Sequence, residues 1–110
     1  QLPDDHPAKP SAMEYVRAYE EKFGKGSVST FGAHVWDASK LLAAALPEAL
    51  TKAKPGTPEF RVALRDALEH LKEVHAAMGV FTMSPTDHLG LDARARVMVQ
   101  INQGTWKYVR

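Results

Sequence analysis

The segment SPTDHLG, residues 84–90, holds side chains that could do chemistry. Ser84, Asp87 and His88 are the residue types of a nucleophilic triad, in which an imidazole lies between a hydroxyl and a carboxylate. Residues this close in a turn rarely reach that geometry, and neither a nucleophile elbow nor a phosphate-binding glycine loop accompanies them. An Asx turn at Asp87, followed by a left-handed Gly90, explains the same pattern. We therefore predict a structural turn, no catalytic residue and no enzymatic activity.

The five histidines raise the possibility of a metal site. His70 and His75 are five residues apart, so on a helix they point in different directions, unlike the i, i+4 pairs that bind zinc. His6 and His88 are distant in the sequence, and no group of carboxylates accompanies them. We predict neither a metal site nor a cofactor.

A third group of candidates lies at the start of an apolar helix with the sequence FGAHVWDASKLLAAAL. Asp37 must find a partner there or stay at a solvated edge, and Trp36 is expected in the core. Phe31 and His34 are different, because the amino-terminal end of a helix offers free amides and a positive dipole end to anions. These two residues are candidate ligand contacts.

The elements that position these side chains are three helices and a hairpin. Capping signals and hydrophobic periodicity predict helices over residues 11–24, 30–53 and 57–75, and a β-hairpin over 95–109. The caps include a Ser11–Glu14 capping box, Gly24 as a stop, and Thr57 before Pro58. Pro47 is expected to kink or restart the second helix. By itself the chain is therefore expected to be mainly α.

Composition excludes several classes of protein. The 110 residues suit one small domain, and a net charge of +1 without blocks of like charge gives no footprint for nucleic acid. The longest apolar run, around Leu41–Leu46, is far shorter than the roughly 20 residues that span a bilayer. The opening QLPDDHPAKP is no signal peptide and reads as an extended lead-in, over residues 1–10, from an upstream region.

The second predicted helix is apolar around most of its circumference, so it should be covered on more than one side. Few elements remain in a chain of this length to cover it. The sequence therefore predicts either a missing partner region or, for the chain alone, a dimer or an exchanged element with Leu41, Leu42 and Leu46 near the contact.

The order of these features resembles the C-terminal third of type I periplasmic solute-binding proteins, the branched-chain amino-acid-binding family of ABC importers. The resemblance covers nearly the whole chain. Its most specific parts are the Asp37-Ala38 pair, the stretch GVFTMSPTDHLGLD, and the closing hairpin with Gly104 and Trp106. The family more often has Tyr at the position of Trp36, so an aromatic residue is kept.

This resemblance implies an α/β fold with two lobes and a solute bound between them. Residues 11–94 would form the helical part of the N-terminal lobe, and residues 95–110 a hairpin that crosses the hinge. The family places the start of the Asp37 helix beside the cleft, which supports His34 and Phe31 as ligand contacts.

The function implied is capture of a small solute, an amino acid or an aromatic carboxylate, for an ABC transporter. HVWDA is similar to members that take up aromatic carboxylates. The implied partners are the permease membrane subunits and the missing N-terminal part, and the implied location is periplasmic or extracytoplasmic. Two alternatives stay open: a ligand-sensing lobe of a receptor or regulator of the same fold, and a self-contained helical interaction module.

Overall fold

A computed structural model describes residues 2–109. It contains the three predicted helices and the C-terminal hairpin, so the mainly helical character of the chain is confirmed. The elements in chain order are α1 (Lys9–Phe23), α2 (Thr30–Lys52), α3 (Pro58–Glu69), β1 (Val74–His75), β2 (Val80–Phe81), a 3-10 turn (Ala93–Ala95), β3 (Met98–Asn102) and β4 (Thr105–Val109).

Helix α1 begins two residues earlier than predicted, and the capping box does not form. Its N-cap is Ala8, which makes no side-chain cap, and Pro10 lies in the first turn, where a missing amide costs nothing. Glu14 instead forms an ion pair with Lys40 of α2 at 2.8 Å. The predicted stop is confirmed, because Gly24 caps the helix with a positive φ of 94°.

Helix α2 matches its predicted bounds within one residue. Ser29 caps it by accepting the amide of Gly32 at 3.1 Å. The helix continues through Pro47 as one element of 23 residues, so the predicted restart is wrong. The proline removes one amide donor from the helix, and the packing of the following turn against α3 retains the helix.

Helix α3 is capped as predicted, with the Thr57 hydroxyl accepting the amide of Phe60 at 3.2 Å. It ends at Glu69, six residues before the predicted end. The chain leaves the helix because Glu73 adopts a left-handed φ of 52° and Val74–His75 pair antiparallel with Val80–Phe81. Apolar periodicity could not separate this short strand from another helical turn.

Alanines form the contact between α2 and α3. Ala45 and Ala49 meet Ala63 and Ala67, and all four are buried. Small side chains let the two helices approach closely, while larger side chains close the edges of the contact. A second buried cluster of Ala76, Phe81 and Met83 packs the β1–β2 segment under α2 through Leu41.

The C-terminal hairpin is confirmed, with Gln103 and Gly104 at its turn. Both have positive φ, of 50° and 73°, as a two-residue type I′ turn requires. Register places Val99 and Ile101 opposite Tyr108 and Trp106 on one face. Ile101 is 66% exposed and Trp106 is 61% exposed, so within residues 2–109 this apolar face is largely uncovered.

Candidate ligand-binding site

The turn at residues 84–90 is built from its own polar groups. Asp87 Oδ1 accepts the amides of Leu89 and Gly90 at 3.0 and 3.1 Å, and Gly90 has a φ of 70°. The Ser84 hydroxyl accepts the amide of Asp87 at 3.0 Å. His88 Nε2 lies 3.0 Å from Glu69 Oε1 on α3. The imidazole is therefore not held between Ser84 and Asp87, and the predicted Asx turn is confirmed.

The other histidines near the chain's turns have separate partners. His70 Nδ1 lies 3.7 Å from Glu48 Oε1, and His75 Nδ1 lies 3.2 Å from the carbonyl of Pro7. Within residues 2–109, no three His, Asp or Glu side chains are grouped so that they could hold a metal ion. The described histidines therefore do not converge on one point.

Asp37 finds its partners in the loop between β1 and β2. The carboxylate is 2% exposed and accepts the amides of Ala77 and Met78 at 2.7 and 2.8 Å. Burial raises the pKa of Asp37, while those two amides and the nearby His34 oppose the rise. Of the two possibilities left by the sequence, a partner or a solvated edge, the structure shows the partner. Asp37 therefore anchors the first half of α2 to the loop between β1 and β2.

The start of α2 is also fixed against α1. The Tyr15 hydroxyl donates to the carbonyl of Ser29 at 2.9 Å and accepts the Ser29 amide at 3.3 Å. A Cβ at position 32 would collide with that hydroxyl, so Gly32 permits the close approach. This role of Tyr15, which is 4% exposed, was not predicted from the sequence. The spacing of Tyr15 and Tyr19 at i, i+4 was the available signal.

Trp36 is half-buried against α1 rather than in the core, where it was predicted. The centroid of the Trp36 ring lies 5.8 Å from that of the Tyr15 ring. Lys40, one turn later on α2, places its Nζ 5.5 Å from the Trp36 centroid. Its buried Nε1 has no hydrogen-bond partner in the part of the chain that the structure describes. Trp36 therefore helps to hold α2 on α1.

Phe31 and His34 point away from these anchors. Phe31 is 84% exposed, and His34 is exposed one turn later. Side chains three residues apart lie on the same side of a helix. Together they present an aromatic ring, an imidazole and the positive end of α2 to one region of space. Such a set can stack on an apolar or aromatic group and donate to a carboxylate.

This geometry is found in solved structures of known proteins. No protein-family model matches the chain, and no curated protein matches it. Solved structures do match. An extracellular ligand-binding receptor from Rhodopseudomonas palustris is 42% identical over 99% of this chain, with a TM-score of 0.86. Two receptors of the same description from strain HaA2 are 40% and 37% identical over 99% and 98% of this chain, with TM-scores of 0.86 and 0.84.

The chain spans 30% of the length of each of these three receptors. They confirm the resemblance and the α/β class inferred from the sequence. Among residues 2–109, no helix is both long and apolar enough to cross a membrane.

Proposed function

We propose that this chain, which is 37–42% identical to a segment of extracellular ligand-binding receptors and has the fold of that segment, lines one side of the solute cleft of such a receptor, outside the cytoplasm. Residues 11–94 would be the helical part of the N-terminal lobe, and residues 95–110 the hairpin that crosses the hinge. The remaining receptor chain would supply the opposite wall. This protein would bind a solute without transforming it.

One observation supports the position of the site most strongly. Phe31 is 84% exposed although it lies on a helix whose first turns are held by Tyr15 and by the buried Asp37. A large aromatic side chain in water on a rigid element is a typical binding surface, because it loses little conformational freedom when a ligand covers it. His34 lies beside it and can donate to an acidic group of the ligand.

The solute that fits is a small carboxylate, either an aromatic acid or an amino acid. Its carboxylate would meet the His34 imidazole and the positive end of α2, and its apolar part would lie on the Phe31 ring. We further propose that the receptor delivers this solute to the membrane subunits of an ABC permease.

The test uses a chimera in which this chain replaces the matched segment of the 42% identical receptor. Calorimetric titration with cinnamate, benzoate and leucine identifies the solute class. His34→Ala should then weaken binding tenfold to a hundredfold, because a lost hydrogen bond to a charged group costs about 1.5–3 kcal/mol. Unchanged affinity in a folded His34→Ala protein would contradict the site.

A further inference from the structure

The C-terminal hairpin has little support from the helices within residues 2–109. It forms a separate two-stranded sheet, and neither of its strands packs extensively against a helix. All residues of β3 are exposed, and so are those of β4 except Tyr108. The direction in which the hairpin leaves the rest of the chain is therefore set by the residues just before it.

The segment before the hairpin is seated on the β1–β2 pair. Leu91 forms an antiparallel bridge with Phe81. A Cβ at position 79 would lie 2.8 Å from Leu91 Cδ2 and 3.0 Å from Ala95 Cβ, so Gly79 allows this close approach. The seat ends at Ala95, three residues before β3 begins at Met98. A seat on one side leaves the 3-10 turn free to rotate unless a second contact fixes it.

Arg94 supplies that second contact through charged groups. Its guanidinium donates to both carboxylate oxygens of Glu73 at 2.8 and 2.9 Å, in the fork-shaped pairing typical of arginine. The same guanidinium donates to Asp92, whose Oδ1 also accepts the Arg94 amide at 2.8 Å and caps the 3-10 turn. Asp92 belongs to the turn itself, so the link to the helical part of the chain runs through Glu73.

Glu73 is itself held in place between α3 and β1. It has a left-handed φ of 52°, which a residue other than glycine keeps only where its surroundings fix it. Its amide donates to the Thr82 hydroxyl at 3.2 Å, and that hydroxyl lies 3.2 Å from Glu73 Oε1. The hydrogen bonds from Arg94 hold the pKa of Glu73 below its usual value, so the carboxylate stays charged at neutral pH. Exposed ion pairs usually contribute little, but bidentate pairs within a network are the exception.

We propose that Arg94, Glu73 and Asp92 form an ionic latch that holds the hairpin in one orientation relative to the helices. When the latch is closed, the 3-10 turn is fixed at two points. When it is open, the turn and the hairpin swing about the Leu91 seat. In a receptor whose hairpin crosses the hinge, the latch sets the resting angle between the lobes, and this consequence rests on the proposed function. Arg94 is then a positioning residue, since it acts through the hairpin.

Single-molecule fluorescence energy transfer tests the latch, because the chain has no cysteine that would interfere with labelling. Ala44→Cys places one dye on an exposed position of α2, and Thr105→Cys places the other at the tip of the hairpin. The 110-residue chain is measured without solute and at single-molecule dilution. A failure of the proposed binding function, or the predicted dimer, would therefore leave the result unaffected.

With the latch intact, the energy transfer should give one narrow distribution. Arg94→Ala should broaden this distribution, and Glu73→Gln should do the same, because it removes the link while the Arg94–Asp92 pair stays. Arg94→Lys keeps the charge without the fork and should give an intermediate width. Arg65→Ala is the matched control, since it removes an exposed arginine–aspartate pair on α3 and should leave the distribution unchanged.

Three results would overturn the latch. The first is a broad distribution in the chain that keeps all three residues, and the second is an unchanged width in Arg94→Ala or in Glu73→Gln. The third is a loss of helical circular dichroism in either variant, because the latch is proposed to hold the hairpin and not the helices.

Discussion

The turn at residues 84–90 and the first turn of α2 both carry a histidine, but they use their side chains in opposite ways. In the turn, Asp87 holds two amides and His88 contacts Glu69. At the start of α2, Phe31 and His34 face solvent. The difference teaches that residue type alone does not indicate function here. Side chains whose polar atoms are occupied within the chain build structure, and those left outward on an anchored helix are available to a ligand.

The largest effect is expected from removing the anchor of α2. Asp37→Ala would leave the amides of Ala77 and Met78 without their acceptor in a partly buried loop. We expect a loss of about 2–6 kcal/mol in the free energy of unfolding, since each of the two unsatisfied amides costs roughly 1–3 kcal/mol. Chemical denaturation of the chain measures it. Ser39→Ala, on the exposed side of the same helix, is the control and should change stability by less than about 0.5 kcal/mol. Similar losses for the two variants would mean that α2 is not anchored by this carboxylate.

A smaller effect should come from the turn itself. Gly90→Ala forces a side chain into a left-handed φ of 70° and drives its Cβ against the sulfur of Met83. Gly56→Ala is the matched control, because Gly56 also has a positive φ, of 90°, but open space around it. The left-handed conformation costs roughly 1–2 kcal/mol in either case, so the variant at position 90 should be the less stable in thermal unfolding. Equal stability would show that the turn is not packed as described.

The smallest effect is expected for His88→Ala. It removes a contact with Glu69 in which the histidine side chain is 63% exposed, and exposed polar pairs contribute about 0–1 kcal/mol even when both partners are charged. Thermal unfolding should therefore shift little, and calorimetric titration of the chimera should give an unchanged solute affinity. A loss of affinity here would place the turn in the binding site and remove the contrast between the two regions.

Local signals in the sequence predicted the elements well where capping and turn residues set the ends of those elements. Gly24 ends α1, Thr57 caps α3, and Gly104 lies at the turn of the hairpin, all as expected. The errors lie where tertiary contacts determine where an element begins or ends. Helix α3 ends at Glu69, and Val74–His75, predicted as its last residues, pair as a strand with Val80–Phe81, which a helical pattern of apolar residues cannot reveal.

The candidate site was predictable only in part. The chemistry of a helix start indicated Phe31 and His34, but it could not show what holds that start in place. The Tyr15 hydroxyl on Ser29 spans 14 residues of sequence, and the Asp37 carboxylate reaches amides 40 and 41 residues away. Contacts of this range depend on the packed fold, so a local pattern such as the i, i+4 spacing of Tyr15 and Tyr19 cannot show which groups they join.

The histidine resonances of the chimera test the central claim most directly, because they compare the two regions in one sample. Imidazole carbon–proton signals are assigned by single substitutions and followed while the solute that binds in calorimetry is added. We expect the His34 signal to shift with the solute and to saturate with the calorimetric affinity, while the His88 signal stays in place. A His88 signal that shifts while the His34 signal does not would contradict it.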